Sequence, residues 1–179
     1  MSVGGVYRRI RAFLEEKNIG VLAEYVHEPS YTSEESARLR GERLEIGGKA
    51  LLMKAKDDFC LFVFSAARKA DFKAIKKILG VKSLRLATAE ELLDLTREAD
   101  SPDGSGCVPG SVPPFGMPIL PFRLFVDPSV KENSQIAFNA GSLTHSLKLS
   151  TTDYLGVCGA ERVFSFTAAQ DTPPQGEGG

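Results

Sequence analysis

Apolar and polar residues repeat along this chain with two distinct periods, and the switches between them mark out its elements. From Val3 to Lys17 the apolar positions Val6, Ile10, Phe13 and Leu14 fall on one helical face between arginines, and Asn18-Ile19-Gly20 ends the run. Val21 to Val26 reads as a short strand. Thr32-Ser33-Glu34-Glu35 has the capping-box order for a brief helix through Leu39, closed by Gly41. Ile46-Gly47-Gly48 leads into a strand over Lys49 to Met53, Asp57-Asp58 turns the chain, and Phe59 to Phe64 returns as the second arm of a hairpin. That second arm is an unbroken apolar run, which predicts a central strand covered on both faces. Asp71 caps a helix that shares Phe72, Ile75, Ile78 and Leu79 on one face and stops at Gly80. Leu84 to Leu86 is a short strand, and Thr88-Ala89-Glu90-Glu91 is a second capping box, ahead of Leu92, Leu93 and Leu95. Asp100 to Gly106 is a loop by composition. Strands are predicted at Ile119 to Val126, where Pro121 implies an edge or a bulge, and at Gln135 to Asn139. Leu147-Lys148-Leu149 alternates like a half-exposed strand, and Ser150 or Thr151 caps a last helical turn around Tyr154 and Leu155.

Hairpins interleaved with short helices favour a mixed α/β (α+β) fold, with a central mixed or antiparallel sheet flanked by helices, over a doubly wound parallel sheet. At 179 residues and 42% hydrophobic, the chain has enough apolar side chain for one full core. The expected organisation is one domain over 1–167. From Ala168 onward, Gln-Asp-Thr-Pro-Pro-Gln-Gly-Glu-Gly-Gly buries too little apolar area to offset its ordering entropy, so 168–179 reads as a disordered tail or a linker.

Charge and cysteine content narrow the function classes. A formal net charge of −1 argues against extensive gripping of a nucleic-acid duplex, because such binding rests on phosphate neutralisation by a basic face. Twenty-two lysines and arginines still leave room for a local contact to an RNA end. The three cysteines, Cys60, Cys107 and Cys158, are far apart, and only two histidines accompany them, so neither a disulfide framework nor a zinc site is expected. With no apolar run of membrane-spanning length and no leader-type start, a reduced, cytoplasmic protein is the natural reading, with no membrane partner and no DNA partner.

The stretch Gly110-Ser111-Val112-Pro113-Pro114-Phe115-Gly116 carries the sharpest chemical signal. Glycine permits positive φ, and consecutive prolines fix φ and remove N–H donors, so the few amides left in this stiff loop can be aimed at a ligand oxygen. On composition alone an ordinary surface turn fits as well. Lys49, at a strand start, is on residue type most simply a solvated lysine. There is no Gly-x-Ser-x-Gly elbow and no Cys/His pair to suggest a nucleophilic hydrolase.

Taken together, Lys49-Ala50-Leu51-Leu52, the Gly110–Pro114 loop and Asn139-Ala140-Gly141-Ser142 resemble the YbaK/prolyl-tRNA-synthetase-associated domain family, over roughly Tyr7 to Tyr154. The resemblance implies a compact domain that hydrolyses mischarged aminoacyl-tRNA, most plausibly alanine or cysteine on the proline tRNA, by substrate-assisted ester hydrolysis. It places Lys49 in the catalytic pocket and assigns the oxyanion donors to loop amides near Gly110 and Ser111. Among substrate-binding positions it implies His27, Thr32, Ala50, Pro114, Phe115, Gly141, Ser142 and His145. Ala50 departs from the Asn that many prolyl-editing members carry there. His27 and His145 are equally readable as structural histidines. No metal and no organic cofactor is implied, and the implied partner is the acceptor end of an aminoacyl-tRNA, with an aminoacyl-tRNA synthetase as a further partner. Two rival readings remain open: a catalytically degenerate module that docks tRNA or a synthetase, and a small-molecule hydrolase indifferent to tRNA.

Overall fold

A computed structural model describes residues 4–98 and 106–170. Helix α1 (Gly5–Glu16) buries Val6, Ile10, Phe13 and Leu14, the stripe that its 3.6-residue period predicts. Strand β1 (Ala23–Val26) follows, and then α2 (Ser33–Arg40), where the Thr32 hydroxyl accepts the Glu35 N–H at 3.1 Å and Gly41 takes the left-handed conformation that ends the helix. Strands β2 (Gly48–Ala55) and β3 (Asp58–Ser65) form the expected hairpin, but its turn residues are Lys56-Asp57, one position earlier than predicted, with Lys56 at φ +55°. Next come β4 (Arg68–Ala70), α3 (Phe72–Leu79, capped by Asp71), β5 (Leu84–Leu86) and α4 (Ala89–Thr96). Both halves of the Thr88/Glu91 capping box are present. The remaining elements are β6 (Arg123–Val126), β7 (Gln135–Asn139), β8 (His145–Ser150), α5 (Thr151–Val157, capped by Ser150), β9 (Ala160–Val163) and β10 (Thr167–Ala169).

Among the described residues, ten strands make three sheets. The largest runs β5-β2-β3-β6-β9, antiparallel from β5 to β3 and parallel from β3 to β9. The second, β1-β8-β7, is antiparallel throughout, and β10 pairs with β4. The mixed α/β expectation matches this architecture. Strand β3 is covered on both faces as predicted: Leu61 and Val63 join α1, α5 and the second sheet in one core cluster, while Cys60, Phe62 and Phe64 join Ile75 of α3 with Phe125, Phe164 and Phe166 in another.

The segment expected as a strand from Ile119 to Val126 pairs only from Arg123, and it lies inside the large sheet, not at an edge. Pro121 has no N–H to give a ladder, so pairing starts after it, and the irregularity appears as a register shift against β9 between Leu124 and Phe125. Strands β4, β9 and β10 had no periodic signature, since Arg-Lys-Ala, Ala-Glu-Arg-Val and Thr-Ala-Ala do not alternate. Strand β10 carries ordered backbone past Ala168, where the tail was expected to begin; 171–179, and the loop residues 100–105, lie outside the described residues.

Asp127, 2% exposed, ties this last strand to the large sheet. Its carboxylate accepts the Ser129 N–H at 3.0 Å, the Phe166 N–H at 2.8 Å and the Thr167 hydroxyl at 3.0 Å. Burial alone pushes its pKa up, but these bonds outweigh that and hold it below the ordinary carboxylate value. Replacing Asp127 with Ala leaves buried donors unmatched and is expected to cost about 2–4 kcal/mol in urea denaturation. Because the folded-state pKa is depressed, the wild-type contribution is complete above the unfolded pKa of about 3.9 and disappears as pH falls through the folded value. Parallel acid-denaturation curves for the wild type and Asp127→Ala would refute this.

Candidate active site

The backbone of Gly47-Gly48 is the seam between the two larger sheets. A Cβ on Gly47 would lie 2.9 Å from the Ala66 Cβ, and one on Gly48 would lie 2.6 Å from Ile136 Cδ1, so only glycine allows this approach. Gly47 also bridges in parallel to Ala137 of β7. The seam sets the start of β2 beside the end of β7, and the N-terminus of α2 and the Gly110 loop close over the gap. The result is a pocket of about 380 Å³.

Four residues singled out from the sequence line this pocket together: Lys49, Ala50, Thr32 and Gly110. Lys49 is exposed at the mouth, its Nζ 6.0 Å from the centroid of the Phe64 ring, its cross-strand neighbour on β3. No carboxylate lies within ion-pair distance of it among the described residues. The Thr32 oxygen accepts the Glu35 N–H, which leaves its own hydroxyl hydrogen for a ligand.

The Pro-Pro loop is held from behind. Phe115 is fully buried and meets Phe13, Phe138 and Tyr154 edge-on at centroid distances of 6.4, 5.5 and 5.5 Å. The Pro114 carbonyl accepts the Tyr154 hydroxyl at 2.6 Å. Neither residue lines the pocket; a large apolar ring and a satisfied carbonyl anchor the loop in the core instead. Ser111 also sits behind the wall. Its N–H donates to the Val108 carbonyl at 3.0 Å, and its hydroxyl bonds the Val108 backbone at 2.9 Å, so this amide is occupied within the turn. Gly110, at φ +89°, turns the loop at the pocket wall, and its amide carries no hydrogen bond among the described residues.

The remaining sequence candidates lie outside the lining. Gly141 packs on Val6, where a Cβ would come within 2.6 Å of Cγ1. Ser142 and Thr144 hydroxyls contact His145 Nδ1 at 3.3 and 2.8 Å, and the His145 ring meets Tyr7 edge-on at 5.3 Å. This cluster faces α1. His27 contacts the Glu28 carbonyl through Nδ1 and the Ser146 hydroxyl through Nε2, both at 2.8 Å, and so touches the pocket only through intermediaries.

Of the lining residues to which the sequence reading gave no role, Asn139 and Arg40 tie the site together. Asn139 ends β7 and stood in the quoted turn without a role, while Arg40 looked like one more arginine on a polar helix. Arg40 Nε donates to Ser146 Oγ and Arg40 Nη2 to Asn139 Oδ1, both at 2.9 Å, and Asn139 Nδ2 donates to the Gly110 carbonyl at 2.8 Å. Burial pulls the Arg40 pKa down to about 10, opposed by the nearby Tyr25 and Glu42. Glu42 itself is committed to Lys148 at 2.7 Å and to the Tyr25 hydroxyl. No local pattern in the sequence signals a half-buried arginine whose partners are about a hundred residues away.

The three cysteines are buried outside the pocket, and burial raises each thiol pKa, that of Cys107 to about 11. None is set up as a nucleophile. Among the described residues no group of three His, Cys, Asp or Glu is placed to hold a metal ion, and no helix is long and apolar enough to cross a membrane.

A model of the aminoacyl-tRNA editing domain matches residues 27–157. Over 170 residues the chain is 33% identical to the multifunctional Ser/Thr-tRNA deacylase ProXp-y of Escherichia coli K12, covering 91% of this chain and 95% of that protein. ProXp-y of Escherichia coli O157:H7 matches to the same extent. Among solved structures, a candidate trans-editing enzyme for prolyl-tRNA synthetase superposes with a TM-score of 0.73 at 23% identity, over 94% of this chain and all of that one. A hypothetical protein superposes with a TM-score of 0.74 at 21% identity, over 89% and 99% of the two chains. At these identities the structural likeness shows the fold.

An Ala at position 110 would be forced into left-handed backbone, so Gly110→Ala is expected to lose about 1–2 kcal/mol of stability in urea denaturation. An unchanged midpoint would mean that the loop does not need this conformation.

Proposed function

The chain belongs to the aminoacyl-tRNA editing domain family, and from that premise we propose that it is a deacylase of mischarged aminoacyl-tRNA acting at the pocket between Lys49 and Gly110. The observation that carries this reading is the pairing, in one open pocket, of an uncommitted ammonium with an uncommitted amide on a loop clamped from behind. Hydrolysis of the ester adds water to its carbonyl carbon, places negative charge on the carbonyl oxygen, and then breaks the bond to the ribose oxygen, which takes up a proton as the amino acid leaves. The Gly110 N–H is the donor suited to the oxyanion, and its fixed backbone needs no reorganisation as charge develops. Lys49, at the mouth, is placed to hold an acceptor-end phosphate or the substrate carbonyl. Glu34 is a carboxylate at the pocket wall; the orientation of the water is assigned to the neighbouring ribose hydroxyl, a group that DNA lacks. Ser111 supports the loop and contributes no amide of its own.

The amino acid removed is a small one. On one side of the pocket the Thr32 hydroxyl keeps its hydrogen for a ligand, set in a wall whose other polar groups, Ser30, Ser36 and Asn139, are bonded to one another. That wall favours serine or threonine, the residues for which the Escherichia coli relative is named, ahead of the alanine or cysteine suggested by the sequence. A site built to bond a substrate hydroxyl discriminates against an analogue without one. A synthetase partner and a cytoplasmic setting fit this activity.

The test is hydrolysis of tRNAs charged with serine, threonine, alanine or cysteine. Wild-type protein is expected to clear the seryl or threonyl species first. Lys49→Ala is expected to lower the rate about 10²-fold or more while the thermal midpoint stays within a degree or two, since Lys49 is exposed. Full activity in a folded Lys49→Ala protein would remove Lys49 from the mechanism, and binding without hydrolysis of any of the four would favour the docking-module reading.

A further inference from the structure

Arg40 is a half-buried cation with no carboxylate within ion-pair distance among the described residues. Withdrawing a guanidinium from water is costly unless its donors are matched, and among the described residues only Tyr25 and Glu42 offset that cost at longer range. Here the guanidinium fork is fully specified on one edge: Nε to Ser146 Oγ and Nη2 to Asn139 Oδ1, with Ser146 Oγ in turn donating to the same Asn139 oxygen at 2.9 Å. Two donors on Oδ1 leave the Asn139 carboxamide a single orientation, with Nδ2 aimed the other way, at the Gly110 carbonyl. The peptide between Gly110 and Ser111 is therefore gripped at both ends, its carbonyl by Asn139 and its N–H by the Val108 carbonyl. The preceding peptide plane, which carries the Gly110 N–H, joins that held plane through the two torsions of Gly110 alone, with φ at +89°.

We infer that Arg40 and Asn139 are positioning residues that aim the Gly110 amide into the pocket, through the relay Arg40 to Asn139 to the Gly110 carbonyl. The catalytic consequence rests on the deacylase reading above; the structural consequence does not. A lysine cannot span Ser146 and Asn139 with rigid paired donors, and an aspartate at 139 keeps both acceptor contacts but has no N–H for the Gly110 carbonyl.

Two variants and two readouts separate the possibilities. Amide hydrogen exchange in the free protein is expected to quicken at least about tenfold at Ser111 in both Arg40→Lys and Asn139→Asp, with Ile75 in the distant core unchanged, as a local opening requires. On whichever charged tRNA the wild type clears, both variants are expected to lower kcat by about 10²-fold with KM within about twofold, the signature of a misplaced transition-state contact. Unaltered exchange at Ser111 in both variants would overturn the inference. So would a raised KM with kcat unchanged, which would mean that Arg40 grips the substrate directly. If the wild type hydrolyses no charged tRNA and exchange still quickens as expected, the deacylase reading fails while the relay stands.

Discussion

The close approach of two backbones at Gly47-Gly48 organises everything that follows. Because neither residue has a side chain, the first residues of β2 can lie against Ala66 and Ile136 and bridge to Ala137. That contact brings Lys49, two residues into β2, to the same space as Asn139 at the end of β7. A side chain at either glycine would push the sheets apart and open the pocket wall, since the opposing atoms belong to a core with nowhere to move.

Around that seam the molecule divides its polar groups by whether they are committed. The buried ones are satisfied internally: Asp127 takes three donors, Asn139 joins Arg40 to the Gly110 loop, and Ser30, Ser36 and Ser146 bond one another or the same network. The uncommitted ones, Lys49, the Thr32 hydroxyl and the Gly110 amide, belong to residues that line the pocket. Such an arrangement suits a reaction in which charge appears briefly on a substrate oxygen, because dipoles that are already fixed stabilise it without rearranging. The aromatic anchors behind the loop serve the same end, since Phe115 and the Tyr154 hydroxyl leave Pro113-Pro114 no freedom to drift.

Much of this was legible in the order of residues. Capping boxes, glycine stops and the apolar stripe of α1 rest on contacts within a few positions, so the helices appear nearly residue for residue. The unbroken apolar run of β3 announced a doubly covered strand. Strands β4, β9 and β10 were not legible, because they exist where partners exist and carry no apolar alternation, unlike the equally short β5, whose Leu84-Arg85-Leu86 alternates. Pro121 was half legible, since it allowed an edge or a bulge and the register shift between Leu124 and Phe125 is of the second kind. Its missing N–H correctly signalled a broken ladder, but whether the strand beyond it lies at an edge depends on what packs beside it.

The sequence by itself determined the elements, the mixed α/β class and the residue types able to handle an ester, through local propensity and short motifs. Only the tertiary structure decided which of those residues meet. Lys49, Ala50, Thr32 and Gly110 converge, whereas Pro114, Phe115 and Ser111 turn back to hold the loop, and Gly141, Ser142 and His145 gather against α1. Arg40 and Asn139, 99 residues apart, joined the site through a hydrogen bond that no periodicity encodes. Residues on one element follow from spacing of a few positions, but a pocket wall is made by side chains that become neighbours only when sheets pack.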